Sequence, residues 1–286
     1  MKKGINTDAV FGYDSPEKPI DDVIKGIEYC KSLGFESLDF SLSMRDWENR
    51  SHALREAMDQ KGYTIHQTHA PFRRNNGGFK GDEETYKKCL ENSIEYTAIL
   101  GAKYCVVHAE EYYPTIEDPF DAKKAHDILY DLYAPFVELA KARGVGIAFE
   151  SLFEDRAIYG EPRTRYSSKV EEIISLIESY NDECVSCCWD FGHSQLSYGD
   201  GHFEAFKQAF KYISCTHVHD NWAGMDLHTL PTFGNVDWSS FMRYMRENSY
   251  KGNLSLEIGR GKNMPKEIKH EYLLLASKIC DYLMSI

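Results

Sequence analysis

Short apolar runs alternate with longer amphipathic segments along the whole chain of 286 residues. The runs are rich in Val, Ile, Phe and Cys, as buried strands are, and the segments between them have the helical period. Strands are predicted at residues 3–7, 36–42, 63–68, 104–107, 146–149, 185–189, 213–218 and 254–258. Helices are predicted at residues 20–33, 46–58, 82–100, 121–143, 168–179, 203–209, 238–247 and 265–284.

Eight strand–helix units in alternation predict a (β/α)8 TIM barrel of the α/β class, formed by a single domain over residues 1–286. Neither a second composition regime nor a low-complexity linker interrupts the chain. A doubly wound open sheet is the main alternative. It is disfavoured because no Gly-rich phosphate-binding turn follows the first strand.

A histidine or a carboxylate stands at the end of six of these strands, about one strand–helix unit apart in most cases. In chain order these residues are His69, His108, Glu150, Asp190, His217 and Glu257. The carboxyl ends of barrel strands open onto one mouth, where the active sites of this fold lie. The pattern therefore predicts an active site at that mouth.

Glu150, Asp190, His217 and Glu257 together predict a metal site. Three carboxylates and one imidazole suit Mn²⁺, Mg²⁺ or Co²⁺, and Zn²⁺ as well. Without a cation the three carboxylates would repel one another. His219 is the rival of His217 as the ligand, because residues two apart on a strand share a face.

Further polar residues extend this set. One metal site is expected, and the residues would allow up to three. His69 and His108 could hold a second ion with Glu150 as a bridge, and His193, Asp226 and His228 could hold a third ion or bind substrate. The loop at 72–81 carries Arg73 and Arg74, which are predicted to bind substrate over the barrel mouth. Two arginines of the loop at 152–167 could join them around a phosphate, Arg163 and Arg165.

Composition and charge restrict the partners. The formal net charge is −12, which disfavours nucleic acid and anionic lipid at long range. The chain shows neither an apolar stretch that could span a membrane nor a secretory signal, so a cytoplasmic location is expected. The eight cysteines have no metal-site spacing, and those in predicted strands are expected to be reduced core residues.

Several segments resemble a known family in their order and spacing. THAPF, VVHAE, AFES, WDFGH, HVHDN followed by DLH, and SLEIG are similar to the sugar-phosphate isomerase/epimerase group of xylose isomerase-like TIM barrels. The resemblance runs from about Gly4 to the C-terminus. It implies that Glu150, Asp190, His217 and Glu257 bind one divalent ion. The family motif H-x-x-D favours His217 over His219.

The chain also resembles endonuclease IV, a three-zinc phosphodiesterase of the same superfamily. That resemblance implies a nine-residue ligand set: His69, His108, Glu150, Asp190, His193, His217, Asp226, His228 and Glu257. Two departures weaken it. The Gly-Glu-Gly of that family reads Thr232, Phe233, Gly234 here, and the acidic chain lacks the basic footprint of a DNA-binding enzyme.

The function expected from these residues is divalent-metal-dependent isomerisation or epimerisation of a sugar, sugar phosphate or polyol-derived ketone. Metal chelation by the substrate would stabilise an enediolate, with Glu150 and Glu257 as the acid/base pair. The alternatives are a multi-zinc phosphodiesterase acting on abasic DNA and a non-catalytic sugar-binding barrel. The expected partner is a small carbohydrate. The sequence leaves the oligomeric state open, and a homo-oligomer is one of the alternatives.

Overall fold

The computed structural model describes residues 1–11, 18–42, 47–72, 82–109, 114–115, 117–154, 165–222, 224–259, 261 and 263–286. Over these residues the chain forms eight strands. They are β1 Lys3–Asn6, β2 Ser37–Ser41, β3 Thr64–His69, β4 Tyr104–His108, β5 Gly146–Glu150, β6 Val185–Asp190, β7 Ile213–His217 and β8 Leu254–Leu256.

All neighbouring strands are parallel, and the sheet closes on itself. Strand β1 pairs with both β2 and β8, and the remaining neighbours follow in sequence order up to β7. Between β7 and β8 the closure runs through Val218, which pairs with Leu256. The backbone N–H of Val218 donates to the Ser255 carbonyl at 2.8 Å. The predicted (β/α)8 barrel is therefore confirmed, and the open doubly wound sheet is excluded.

Ten helices of the described residues surround or cap this barrel. They are α1 Asp8–Phe11, α2 Ile20–Ser32, α3 Trp47–Lys61, α4 Glu83–Leu100, α5 Ala122–Arg143, α6 Val170–Tyr180, α7 Phe191–Tyr198, α8 His202–Ala209, α9 Trp238–Glu247 and α10 Lys266–Ser285. Within the described part of the chain, none has the length and apolar character needed to cross a lipid bilayer.

Local residues explain where the long helices begin and end. Asp82 and Asp121 accept a hydrogen bond from the backbone of the first turns of α4 and α5, as N-caps do. Gly101 and Gly144 follow these helices with φ of 74° and 69°, a left-handed conformation in which glycine has no steric cost. The helix α5 continues through Pro135.

The barrel interior is filled by small side chains directly below the mouth. Each lies two residues before a predicted site residue, on the same face of its strand. The four form one buried cluster: Val106, Ala148, Cys188 and Cys215. Because residues two apart on a strand share a face, the last residue of each of these strands also faces the barrel interior, one layer higher, at the mouth.

The predicted strand boundaries are correct to within two residues, but two helices were missed. The more important is α7, which starts immediately after Asp190. Its sequence FGHSQLSY has no amphipathic repeat, so periodicity does not predict it. The eight cysteines are all free and seven of them are buried, in agreement with reduced core cysteines.

Candidate metal centre

Glu150, Asp190, His217 and Glu257 meet at the carboxyl end of the barrel, and their ligand atoms all lie within 4.8 Å of one another. His217 Nδ1 is 3.1 Å from Glu257 Oε2 and 3.3 Å from Glu150 Oε1. Two ligands that each lie about 2.1 Å from one ion are separated by about 3.0–3.5 Å at tetrahedral to octahedral angles. These separations therefore fit ligands of one shared cation.

The two carboxylate oxygens of Glu150 face different histidines. Oε2 lies 2.9 Å from His69 Nε2 and 3.1 Å from His108 Nε2. Oε1 lies 3.3 Å from His193 Nδ1 and from His217 Nδ1. His69, His108 and Glu150 thus form a second group of metal-capable residues that shares Glu150 with the first. Glu150 has the arrangement of a bridging ligand.

A third group contains His193, His219, Asp226 and His228. Asp226 Oδ2 lies 3.2 Å from His228 Nε2 and 3.7 Å from His193 Nε2. His219 is the one member that the sequence analysis considered only as a rival of His217. Its Nε2 lies 3.0 Å from Asp190 Oδ1, and its ring stacks on that of His228 with centroids 4.0 Å apart.

Histidine hydrogen bonds show why these groups suit a cation. His69 Nδ1 lies 2.7 Å from the Ala70 carbonyl and His228 Nδ1 lies 2.8 Å from the Glu257 carbonyl. When Nδ1–H donates to a carbonyl, a neutral ring turns the lone pair of Nε2 toward the carboxylate. Such a contact repels unless a proton or a metal ion joins the two.

His217 makes the same point more directly. The residue is fully buried, and neither of its ring nitrogens has a hydrogen-bond partner. Buried polar atoms are nearly always satisfied, so an orphan pair of ring nitrogens calls for a ligand. Because Nδ1 points between two carboxylates, the donor set fits a divalent metal ion.

Burial and charge act in opposite directions on the pKa values of this cluster. Burial alone would raise the pKa of Glu150, but His217 and His108 hold it well below its ordinary value. Burial would likewise lower the pKa of His193, but Asp190 and Asp226 raise it well above the usual range. In the absence of a metal, protons on the histidines therefore balance the carboxylates.

Asp190 is positioned by the start of α7. Its carboxylate caps the helix by accepting from the backbone N–H of His193 at 2.7 Å, and its own backbone N–H donates to Ser151 Oγ at 2.8 Å. Gly192 leaves room for His219, because a Cβ at this position would lie 2.0 Å from His219 Cε1. The Asp-Phe-Gly-His segment thus shapes both the first and the third group.

Asp220 organises the loop after β7 that carries Asp226 and His228. Its carboxylate accepts four hydrogen bonds, from the backbone N–H groups of Asn221, Thr232 and Val236 and from the indole N–H of Trp238. Its backbone pairs with that of Thr229 in an antiparallel bridge. The H-x-x-D spacing therefore joins a candidate ligand, His217, to the residue that folds the loop.

Members of all three groups line one cavity of about 420 Å³ at the barrel mouth, a volume in the range of small-molecule sites. Asn6, Asp8 and Ser41 line the side formed by β1 and β2. Phe72 also lines the cavity, and its ring stacks on His108 with centroids 4.1 Å apart.

Of the four arginines that the sequence predicts at the substrate or phosphate, the structure describes one. Arg73, Arg74 and Arg163 lie outside the described residues. Arg165 Nη1 donates to the Phe153 carbonyl at 2.6 Å. Trp189 is fully buried and packs on Phe206, on the face of β6 opposite to that of Asp190.

Sequence reasoning missed Asp39, a fully buried carboxylate of β2 whose Oδ2 lies 3.6 Å from His217 Nε2. The signal is present in the segment ESLDFS, because a charged residue between two apolar residues of a predicted strand is unusual. Asp39 does not end its strand, so the pattern of strand-end residues does not include it.

Comparison with known proteins gives a family and a fold. The model of the xylose isomerase-like TIM barrel family matches residues 27–278. Protein y4fM of Sinorhizobium fredii is 26% identical over 59% of this chain and 51% of its own length. The matched part therefore spans about half the length of that relative.

Two solved structures share the fold over nearly the whole of both chains. A D-tagatose 3-epimerase-like protein has a TM-score of 0.75 at 19% identity, covering 100% of this chain and 97% of that one. The IOLI protein, solved with a bound zinc atom, has a TM-score of 0.74 at 17% identity, covering 100% of this chain and 98% of that one.

The substitution Gly192→Ala should destabilise the protein and displace His219. Alanine normally stabilises a helix relative to glycine, but here the added methyl group collides with a buried ring. We expect a loss of about 1–3 kcal/mol in the free energy of unfolding, measured by urea denaturation. Gly201→Ala is the matched control, because its Cβ would meet its nearest neighbour at 4.0 Å. Equal stability of the two variants would contradict the clash.

The stability of the metal-free protein should fall as the pH rises from about 6.5 to about 9. Burial lowers the pKa of His228, but Asp226 and Glu257 raise it to about 9, above about 6.5 for an unfolded histidine. A raised pKa adds stability below pH 6.5 that is lost as the pH passes the folded value. Melting temperatures of chelator-treated protein measure this fall. The fall in melting temperature should be smaller in His228→Gln. A melting temperature that rises with pH over this range would contradict the prediction.

Proposed function

This chain belongs to the xylose isomerase-like TIM barrel family, and on that basis we propose that it is a divalent-metal-dependent carbohydrate isomerase or epimerase. The observation that carries the proposal is the convergence of Glu150, Asp190, His217 and Glu257, whose ligand atoms lie within 4.8 Å of one another. Glu150 and Glu257 of this set line the cavity. The epimerase-like and zinc-bound neighbours in structure support the same kind of reaction.

A metal bound by these four residues would supply Lewis acidity, which favours loss of the proton from a carbon next to a carbonyl. Glu150 and Glu257 both line the cavity. They belong to β5 and to the segment just after β8, which are not neighbours in the barrel. One carboxylate would remove the proton and the other, in its acid form, would return a proton to the opposite face of the carbon.

The two glutamates differ in how they meet the cavity. The side chain of Glu257 is 26% exposed, and that of Glu150 is 2% exposed. Both oxygens of Glu150 contact histidines, which leaves Glu257 the freer of the two to meet a substrate. We therefore assign the first contact with the substrate proton to Glu257, with Glu150 as its partner.

A second candidate function follows from the shared oxygens of Glu150. Two further groups of metal-capable residues flank the first, and the nine residues implied by the endonuclease IV resemblance all fall within the three groups. A centre of two or three metals clamps both the attacking and the leaving oxygen of a phosphoester. A multi-metal phosphodiesterase is therefore the alternative.

Replacement of either glutamate should abolish proton transfer. The metal-loaded protein is incubated with a panel of ketoses and polyol-derived ketones in D₂O, and NMR follows the loss of C–H signal. Glu150→Gln and Glu257→Gln should lower the rate of deuterium incorporation by at least 100-fold, within the range that acid–base catalysis contributes. Glu171→Gln, an exposed position on α6, is the control. Near-normal exchange in either active-site variant would refute the assignment.

The number of bound metal ions separates the two candidate functions. The purified protein is stripped with a chelator, reloaded with Zn²⁺ or Mn²⁺ and analysed for metal content. One ion per chain together with deuterium exchange into a ketose supports the isomerase. Three ions per chain together with cleavage of an abasic-site oligonucleotide support the phosphodiesterase. A chain that retains no metal would exclude both.

A further inference from the structure

Asp39 lies in the barrel interior, below the cavity. The residue is fully buried and is not among the residues that line the cavity or among the metal-capable groups. Because it does not line the cavity, Asp39 is not placed to contact a substrate there. A buried carboxylate is costly unless neighbouring groups compensate it, so its neighbours indicate what it does.

Three side chains from three other strands meet Asp39 Oδ2. Gln67 Nε2 donates to it at 2.9 Å, Ser255 Oγ donates to it at 3.3 Å, and His217 Nε2 lies 3.6 Å away. Asp39 Oδ1 has no hydrogen-bond partner. Within the part of the chain that the structure describes, His217 is the one basic side chain within 4.0 Å of this carboxylate.

His217 therefore lies between carboxylates on both edges of its ring. Nδ1 faces Glu150 and Glu257 on the cavity side, and Nε2 faces Asp39 on the interior side. A histidine that binds a metal through one nitrogen usually donates its other N–H to a carboxylate or a carbonyl, which fixes the tautomer and the ring orientation. Asp39 is the carboxylate on the corresponding side of His217, with its Oδ2 3.6 Å from Nε2.

Gln67 holds the carboxylate of Asp39 in place. Its Nε2 donates both to Asp39 Oδ2 and to the Thr216 carbonyl, at 2.9 and 3.2 Å. Thr216 precedes His217 on β7, so the amide connects Asp39 to the same strand that carries the histidine. The position of Asp39 Oδ2 relative to His217 Nε2 is thus set by β2, β3 and β7 together.

We propose that Asp39 is a positioning residue for the metal centre: its carboxylate, 3.6 Å from Nε2 of His217, attracts the N–H of Nε2 and so holds the ring with Nδ1 toward the cavity. The inference rests on the proposed metal-dependent function, because His217 must bind an ion for its tautomer to matter. Asp39 itself touches neither the ion nor the substrate. Its effect is on metal affinity and on the geometry of the loaded site.

The test is the substitution Asp39→Asn, which removes the charge and keeps the volume. Loss of such a partner typically weakens metal binding by about 10–100-fold. The dissociation constant for Zn²⁺ is measured by competition with a chromophoric chelator, without any turnover. The absorption bands of the Co²⁺-loaded protein give a second measure, because a reoriented His217 would shift them.

Two controls separate positioning from a structural role. Ser255→Ala removes the 3.3 Å hydrogen bond to the same oxygen, but the Asp39 carboxylate remains and still accepts from Gln67 Nε2. The Zn²⁺ affinity of Ser255→Ala should therefore fall by much less than that of Asp39→Asn. The melting temperature of the metal-free Asp39→Asn protein reports folding alone. A drop in that temperature with unchanged affinity and unchanged Co²⁺ bands would overturn the proposal.

The outcomes distinguish this inference from the proposed function. Equal Zn²⁺ affinity in the wild-type and Asp39→Asn proteins would remove the role of Asp39 and leave the isomerase proposal intact. In another outcome, Asp39→Asn binds Zn²⁺ at least tenfold more weakly than the wild-type protein, and the wild-type protein exchanges no carbohydrate proton. That result would support the role of Asp39 and refute the isomerase. A wild-type protein that binds no divalent ion would refute both.

Discussion

Electrostatic repulsion among buried carboxylates is the constraint on which the barrel mouth depends. Glu150 and Asp190 are almost fully buried, and Glu257 and Asp226 lie within the same connected groups. Carboxylates this close cannot all stay ionised in a dry environment unless positive charge lies between them. The histidines can supply that charge when they are protonated, and a bound metal ion can supply it instead.

The rest of the structure serves to hold these groups at the required separations. Small residues fill the interior layer below the mouth, so that the strands approach closely and their last residues converge. Asp220 ties the loop after β7 to the strand, and Gly192 makes room for His219. The strands, together with the loop that Asp220 folds, thus set the geometry, as a preorganised site requires.

The family of this protein and its proposed reaction are supported by different observations. The family match covers most of the chain and establishes the xylose isomerase-like barrel, whereas solved structures at 19% and 17% identity share only its fold. Reaction and substrate therefore depend on the site. There the bridging arrangement of Glu150 is compatible with one ion or with several, and this is the difference between an isomerase and a phosphodiesterase.

The sequence by itself determined the barrel and the strand-end residues, because alternating apolar periods report secondary structure directly and strand ends share one mouth. The choice of His217 over His219 came from the resemblance to the family motif H-x-x-D, which His217 and Asp220 match. Only the tertiary structure decided that the two oxygens of Glu150 face different histidines, that His219 contacts Asp190, and that Asp39 lies behind His217. These contacts join strands that are far apart in the chain. The hydrophobic periodicity within one segment predicts its secondary structure but not the distances between its side chains and those of other strands.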